Sequence, residues 1–265
     1  VTSDSTISVL RDVLRVYDHR YLDLDRVQRD RLVEGTRHVL GEEGLSDAAR
    51  AALPASVRLR AFCIQNGLRD ELERLIRDEA EGSPAGAVVV GGRIYALYPY
   101  LRGVSRQDAD ITGEVGVDHR LDAASWQGGR VRLRGAAVLQ RVETHRTAVE
   151  VVLRERASGR EHGFAAEHRE PGAGGFESFV DPAVLAPGRW DAHVTVTALG
   201  VTREARFGSV RAPRLKPVPQ RRTIQGREPR EATLYFTKGG HLALLVTAGA
   251  RRVPLHTRVL RRLLR

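Results

Sequence analysis

The sequence predicts a multi-domain α+β chain, in which an N-terminal helical bundle precedes a β-sandwich and a small basic β unit. Three observations carry this. Apolar residues recur every three or four positions as far as Arg77, the period changes to two from about Val117, and the excess positive charge collects at the C-terminal end. With 265 residues, 42% of them hydrophobic and 29% charged, the chain has room for two or three domains, each burying its own core.

Residues 1–80 read as a helical linker bundle. Ile7, Leu10, Val13, Leu14 and Tyr17 fall on one helical face, and Val27, Val33, Val39 and Leu40 do so less strictly. Ser46 is an N-cap signal for a short helix ending near Pro54. Val57, Ala61, Phe62 and Ile64 mark a helix stopped by Asn66-Gly67, and Leu68, Leu72, Leu75 and Ile76 mark the next. Residues 81–116 form a hairpin and connector. Ala87 to Val90 and Arg93 to Tyr98 are strand-like, and Gly91-Gly92 between them supplies the positive φ angles of a tight primed turn.

Residues 117–212 alternate. Val131, Leu133, Val149, Val151, Leu153, Trp190, Val194 and Val196 are expected to point inward, with Glu150 and Arg154 on the wet face. Turn residues at Gly128-Gly129, Ser158-Gly159, Pro171-Gly172 and Pro187-Gly188 separate short strands. That spacing predicts an immunoglobulin-like sandwich of about 95 residues. One cysteine excludes the disulfide usual in such a core, so Trp126 or Trp190 is expected to fill its centre. Residues 213–265 begin with a proline-rich connector and continue as a basic β tail built on Ala232 to Phe236 and Leu242 to Val246.

The net charge of +10 belongs to that tail. Of 43 Lys and Arg, 13 lie in residues 213–265, against two of the 33 acids, Glu228 and Glu231. Clustered cations create a local field that scattered ones do not, which points to an anionic partner. Arg221, Arg222, Lys238, Arg251, Arg252, Arg258, Arg261 and Arg262 are the candidate polyanion-binding residues, because guanidinium groups pair with phosphate oxygens. The alternative is a solvated basic end. Val259, Leu260, Leu263 and Leu264 oppose the last arginines in an amphipathic pattern, suited to docking on the β unit, on another subunit or on an anionic leaflet. Arginine outnumbers lysine 41 to two, a bias that base composition explains, so it is no sign of nucleic acid; few aromatics near the tail could stack on bases.

No catalytic set emerges. Asp23-Leu24-Asp25 and Asp108-Ala109-Asp110 spell the DxD pattern that chelates a metal and a nucleotide diphosphate, but neither follows a nucleotide-binding βαβ half, and both read as solvated turn acids. His119, His145, His162 and His168 match no metal-site spacing and read as exposed strand histidines, so no metal site and no cofactor is expected. Ser46, Ser105 and Ser178 lack a nucleophile-elbow setting, and Cys63 reads as a core thiol. No apolar run approaches the roughly 20 residues that span a bilayer. A start at Val1, with no signal peptide and no methionine, reads as a segment of a longer polypeptide.

Three segments carry a resemblance: Leu53-Pro-Ala-Ser-Val-Arg-Leu-Arg-Ala-Phe62 with Asn66-Gly67, Leu185-Ala-Pro-Gly-Arg-Trp-Asp-Ala-His-Val194, and Ala232-Thr-Leu-Tyr-Phe-Thr-Lys-Gly-Gly-His-Leu242. With the order of modules, they resemble the region after the catalytic domain in bacterial family 2 glycosyltransferases of cell-wall glycopolymer synthesis, of the wall-teichoic-acid type. The resemblance implies a non-catalytic C-terminal portion serving homo-oligomerisation, as trimers, and retention of an anionic cell-wall polymer. It implies a cytoplasmic location at the inner face of the membrane, and it carries over no catalytic residue. A free-standing binding module for an anionic glycan or nucleic acid, or an enzyme with an unrecognised site, stay open as alternatives.

Overall fold

A computed structural model of the protein describes residues 3–82, 86–144, 146–169, 174–225 and 229–248. These form α-helices and mostly antiparallel sheets, an α+β architecture. The chain divides into two compact units, one within 1–115, 140–143 and 199–201, the other within 116–139, 144–198 and 202–265.

In the first unit, α1 (Ser3–Arg15), a 3-10 turn (His19–Asp23), α2 (Arg26–Leu40), α3 (Asp47–Ala52), α4 (Ala55–Gln65) and α5 (Arg69–Ala80) precede the hairpin β1 (Gly86–Val90) and β2 (Arg93–Leu97), and the short α6 (Arg106–Ala109). Local chemistry sets the boundaries. Ser46 accepts from the Ala49 amide and starts α3, while Asn66 and Gly67 end α4, with Gly67 at φ 67°. Leu10, Leu14, Tyr17, Val33, Leu40, Ala61, Ile64, Leu72 and Ile76 share one buried cluster. Val27 and Val39 sit on the outer face of α2, at 58% and 48% exposure; the looser apolar spacing there reflects a helix buried on one stripe only. The hairpin closes over Gly91 and Gly92, both at positive φ.

The second unit contains β3 (Val117–Gln127), β4 (Arg130–Leu139), β5 (Thr147–Glu155), β6 (Glu161–His168), β7 (Gly175–Val180), β8 (Gly188–Ala198), β9 (Val201–Arg206), β10 (Gln220–Ile224), β11 (Arg230–Phe236) and β12 (Leu242–Ala248). Among the described residues the strand order is β10-β11-β12-β8-β5-β6-β7-β4-β3, with β9 on β8. β6 changes partner along its length: Glu161 to Ala165 pair with β5, and Ala166 to His168 pair with β7. Ser178, 1% exposed, lies with its hydroxyl on the Phe164 and Ala165 carbonyls at this switch.

Every residue expected inward is buried: Val131, Leu133, Val149, Val151, Leu153, Trp190, Val194 and Val196. Of the two tryptophans, Trp190 fills the core at 0% exposure, its Nε1 donating to the Ala186 carbonyl at 3.0 Å. Trp126 does not; it stays half-buried on β3 and donates to the Gln220 carbonyl at 3.2 Å. The described part of 213–265, read from the sequence as a separate β unit, continues the same sheet, because β12 pairs with β8 from Ala243↔Asp191 to Val246↔Gly188. Unpaired strand edges are costly, and β8 takes β12 where a separate module would have left that edge open.

Candidate functional site

The tail cations fall into four situations. Arg221, on the edge strand β10, is committed to Glu231 at 2.6 Å. Arg222 and Lys238 are exposed, and among the described residues neither has a carboxylate partner. Lys238 occupies the β11–β12 turn, closed by the Gly240 amide donating to the Thr237 carbonyl at 2.9 Å. Arg230 turns structural, donating to the Leu185 carbonyl at 2.7 Å. Arg251, Arg252, Arg258, Arg261 and Arg262, with the amphipathic stretch Val259 to Leu264, lie outside the described residues.

Of the DxD acids, Asp23 and Asp25 are exposed at the 3-10 turn and just after it, as expected, whereas Asp108 and Asp110 are not solvated turn acids. Asp25 is the N-cap of α2, in a reciprocal capping box with Gln28. Asp108 is 6% exposed; its carboxylate accepts from Arg50 Nε at 3.0 Å and the Ser105 hydroxyl at 2.7 Å. Burial pushes the Asp110 carboxyl up, but hydrogen bonds from Thr112 and Arg93 outweigh it and hold the group below the usual range. Asp25, Asp108 and Asp110 therefore brace the first unit, and Asp23 stays on its surface. The sequence signal for the first was Asp25-x-x-Gln28, a capping spacing.

His119 and His162 are half-buried and not exposed as expected, His168 is exposed, and His145 lies outside the described residues. His162 leans on Trp190 at 5.4 Å, and His119 meets Phe207 edge-on at 5.6 Å. Burial, with His241 nearby, lowers the His119 pKa. Among the described residues no group of three His, Cys, Asp or Glu is arranged to hold a metal. Cys63 is a buried thiol, pushed up to about 12 by burial.

Two concavities stand out. The larger, about 610 Å³, lies in the first unit among Arg50, Arg58, Arg93, Asp110 and Glu114. Its charges answer one another: Arg50 pairs with Asp108, Arg58 with Glu114 at 3.7 Å, and Arg93 with Asp110 at 2.7 Å. Glu114 also accepts the Ala55 amide at 2.7 Å, capping α4. That cavity carries no surplus charge for a ligand.

The smaller, about 440 Å³, lies in the second unit and is ringed by Arg120, Arg134, Arg169 and Arg214, with Asp122 the one acid among its described lining residues. Sequence reasoning missed it. The available signal was Arg130-Val-Arg-Leu-Arg134, where the strand period that buries Val131 and Leu133 puts the intervening arginines on the outer face. Arg214 had no signal at all; it arrives because the chain after β9 runs beside β3, with the Leu121 amide on the Val210 carbonyl and the Ala212 amide on the Leu121 carbonyl.

Residues 110–246, more than half of the chain, match the model of the TarS β-glycosyltransferase C-terminal domain 1 family. The chain belongs to that family. The TarS C-terminal domain 1 match spans β3 to β12 except the last residues of β12, and so takes in both the arginine-ringed concavity and the described tail cations. The fold is shared with the crystal structure of S. aureus TarS 217-571, at a TM-score of 0.61 and 12% identity, covering 94% of this chain and 71% of that one. The crystal structure of S. aureus TarS aligns at a TM-score of 0.49 and 14% identity over 83% of this chain; the chain spans 38% of its length. A sequence comparison with curated proteins finds no match.

Proposed function

We propose that this chain serves as the non-catalytic C-terminal portion of a cell-wall glycopolymer glycosyltransferase, of the wall-teichoic-acid type, where it assembles subunits and retains an anionic polymer acceptor. Membership of the TarS C-terminal domain 1 family is the observation that carries the reading. The helices of residues 1–80 act as a linker bundle, and the paired layers of the second unit as an immunoglobulin-like sandwich. Support for the latter comes from the alternating buried residues and from β6, which passes from one ladder to the other as strands joining two layers do.

Retention falls to Arg222 and Lys238, extended by Arg251, Arg252, Arg258, Arg261 and Arg262, with Arg221 contributing once it leaves Glu231. Arg222 and Lys238 favour this because their charge is not already answered by an acid among the described residues. Assembly, as trimers, uses the sheet edges, whose unpaired N–H and C=O groups need cover. The site of action is the cytoplasmic face of the membrane; among the described residues no helix is long and apolar enough to cross one.

The test uses the purified chain. A trimer mass by light scattering, salt-sensitive capture of a poly(ribitol phosphate) or poly(glycerol phosphate) chain, and no turnover of any nucleotide sugar are expected. A monomer at high concentration overturns the assembly role, and sugar transfer overturns the non-catalytic one.

A further inference from the structure

We infer that the arginine-ringed concavity formed by β3, β4, β7 and the chain after β9 is a binding site for a phosphate or phosphodiester group. The ladder between β4 and β7 explains why a hollow exists there. Ala136 pairs with Gly175, so the floor at this point carries little side chain, and a Cβ placed on Gly175 would meet nothing within 4 Å. The neighbouring Gly135 is fixed by packing: a side chain there would collide with the Arg120 carbonyl across the β3–β4 ladder. The result is a shallow backbone floor of about 440 Å³, walled by long cationic side chains.

Among the described residues the charges around it do not cancel. Asp122 is held by its neighbour Arg120, through Nε at 2.7 Å and Nη2 at 3.4 Å. Glu177 is shared by Arg132 and by Arg169, the latter at 3.7 Å. Arg134 and Arg214 are left without a carboxylate partner among the described residues. Two unanswered guanidinium groups facing one hollow repel each other until an anion joins them. Planar guanidinium forks match the oxygens of a phosphate, each donating two N–H bonds. Phe176, which also lines the hollow, is 1% exposed and offers no face for a base to stack on, so the recognised group is the phosphate and not a nucleotide.

Apart from Arg214, which belongs to residues 213–265, the hollow uses cations outside the tail: Arg221, Arg222 and Lys238 do not line it, although β10 runs beside β3 through the Trp126 and Gln220 hydrogen bonds. The inference stands on the hollow alone; if the polymer-retaining function holds, a phosphodiester of that polymer supplies the group, and otherwise free phosphate does.

The experiment follows the arginine Nε–H resonances of the full chain by NMR while inorganic phosphate, and separately a short poly(glycerol phosphate), is added. Saturable shifts at Arg134 and Arg214 are expected, with phosphate affinity falling about tenfold or more in Arg134→Gln/Arg214→Gln. Arg134→Lys/Arg214→Lys, which keeps charge without the fork, should lose part of it, and Arg222→Gln/Lys238→Gln should leave it within about twofold. An unchanged backbone amide spectrum certifies the fold of each variant. Tighter binding of the oligomer than of phosphate assigns the site to a polymer, and exclusion of the oligomer assigns it to the free ion. No saturable shift, or equal binding by the glutamine variant, overturns the site. If polymer is captured while these resonances stay silent, the site fails and retention by the tail stands; if phosphate saturates the site but no polymer is captured, retention fails and the site stands.

Discussion

The carboxylate of Asp108 accepts a hydrogen bond from Arg50 Nε at 3.0 Å, joining α6 to α3 across 58 residues of chain. Arg58 completes the junction, donating to the Asp108 carbonyl at 3.2 Å and the Arg50 carbonyl at 3.0 Å. A carboxylate with these partners is a brace between α6 and α3.

Asp108→Ala is therefore expected to destabilise the first unit by about 2 kcal/mol, since it removes the buried carboxylate that accepts from Arg50 and from the Ser105 hydroxyl. Asp23→Ala, at an exposed carboxylate of the 3-10 turn, is expected to cost under about 0.5 kcal/mol. Urea melts of the two variants check this, and adding Mn²⁺ should shift neither midpoint. Equal costs would return both DxD spellings to the same standing.

Trp190 and Trp126 should separate cleanly. Trp190→Ala opens a cavity at a fully buried site and is expected to cost about 3–5 kcal/mol, whereas Trp126→Ala removes a half-buried ring and should cost less than half of that. Denaturant midpoints of the two variants decide it, and the fluorescence remaining in Trp126→Ala should be blue-shifted.

Cys63 should be inert in the folded chain. With its pKa pushed up to about 12 by burial, the thiolate fraction at pH 8 is about a thousandfold below that of a free cysteine. Labelling by a thiol reagent at pH 8 is expected to follow global unfolding in urea; rapid labelling without urea would contradict the core placement.

Stability should decline on acidification in two windows. Burial lowers the His193 pKa below its ordinary 6.5, only partly opposed by Glu204, whose Oε1 lies 3.0 Å from Nδ1. His119 is lowered likewise. The unfolded chain therefore takes up protons first, so stability is full above about pH 6.5 and falls as pH drops towards the folded values. Asp110, held below its ordinary 3.8, adds stability that is present above that value and lost as pH falls through its lower folded one. Urea midpoints at pH 8, 5.5 and 3.5 measure both limbs, and His193→Gln should flatten the upper one.

Polymer capture by the tail should be electrostatic. Affinity is expected to fall steeply with salt, by counterion release, and to weaken in graded steps through Arg222→Gln and then Lys238→Gln with no change in urea midpoint. Co-sedimentation at several salt concentrations reads this out; complete loss at the first substitution would indicate a shaped pocket instead.

Local chemistry was legible from the sequence wherever a few neighbouring residues decide it. Ser46, Asn66-Gly67 and Gly91-Gly92 fix boundaries through caps and turns, and the alternation within strands marks the inward side chains from Val131 to Val196, although Val152 and His193 between them are buried too. Charge was legible only as an inventory. The sequence marks residues 213–265 as basic, yet Arg221 and Arg230 are already spent on Glu231 and the Leu185 carbonyl.

What tertiary structure alone decided is pairing at a distance. That β12 joins β8, that Asp108 meets Arg50, and that Arg214 comes beside Arg134 are consequences of strand order and chain path, to which sequence separation gives no guide. Short-range propensity depends on the residues within a turn or two, so the elements could be read one by one. Whether an arginine neutralises a carboxylate or stays available to an anion depends on which other charges share its few ångströms of space, and only the folded chain sets that.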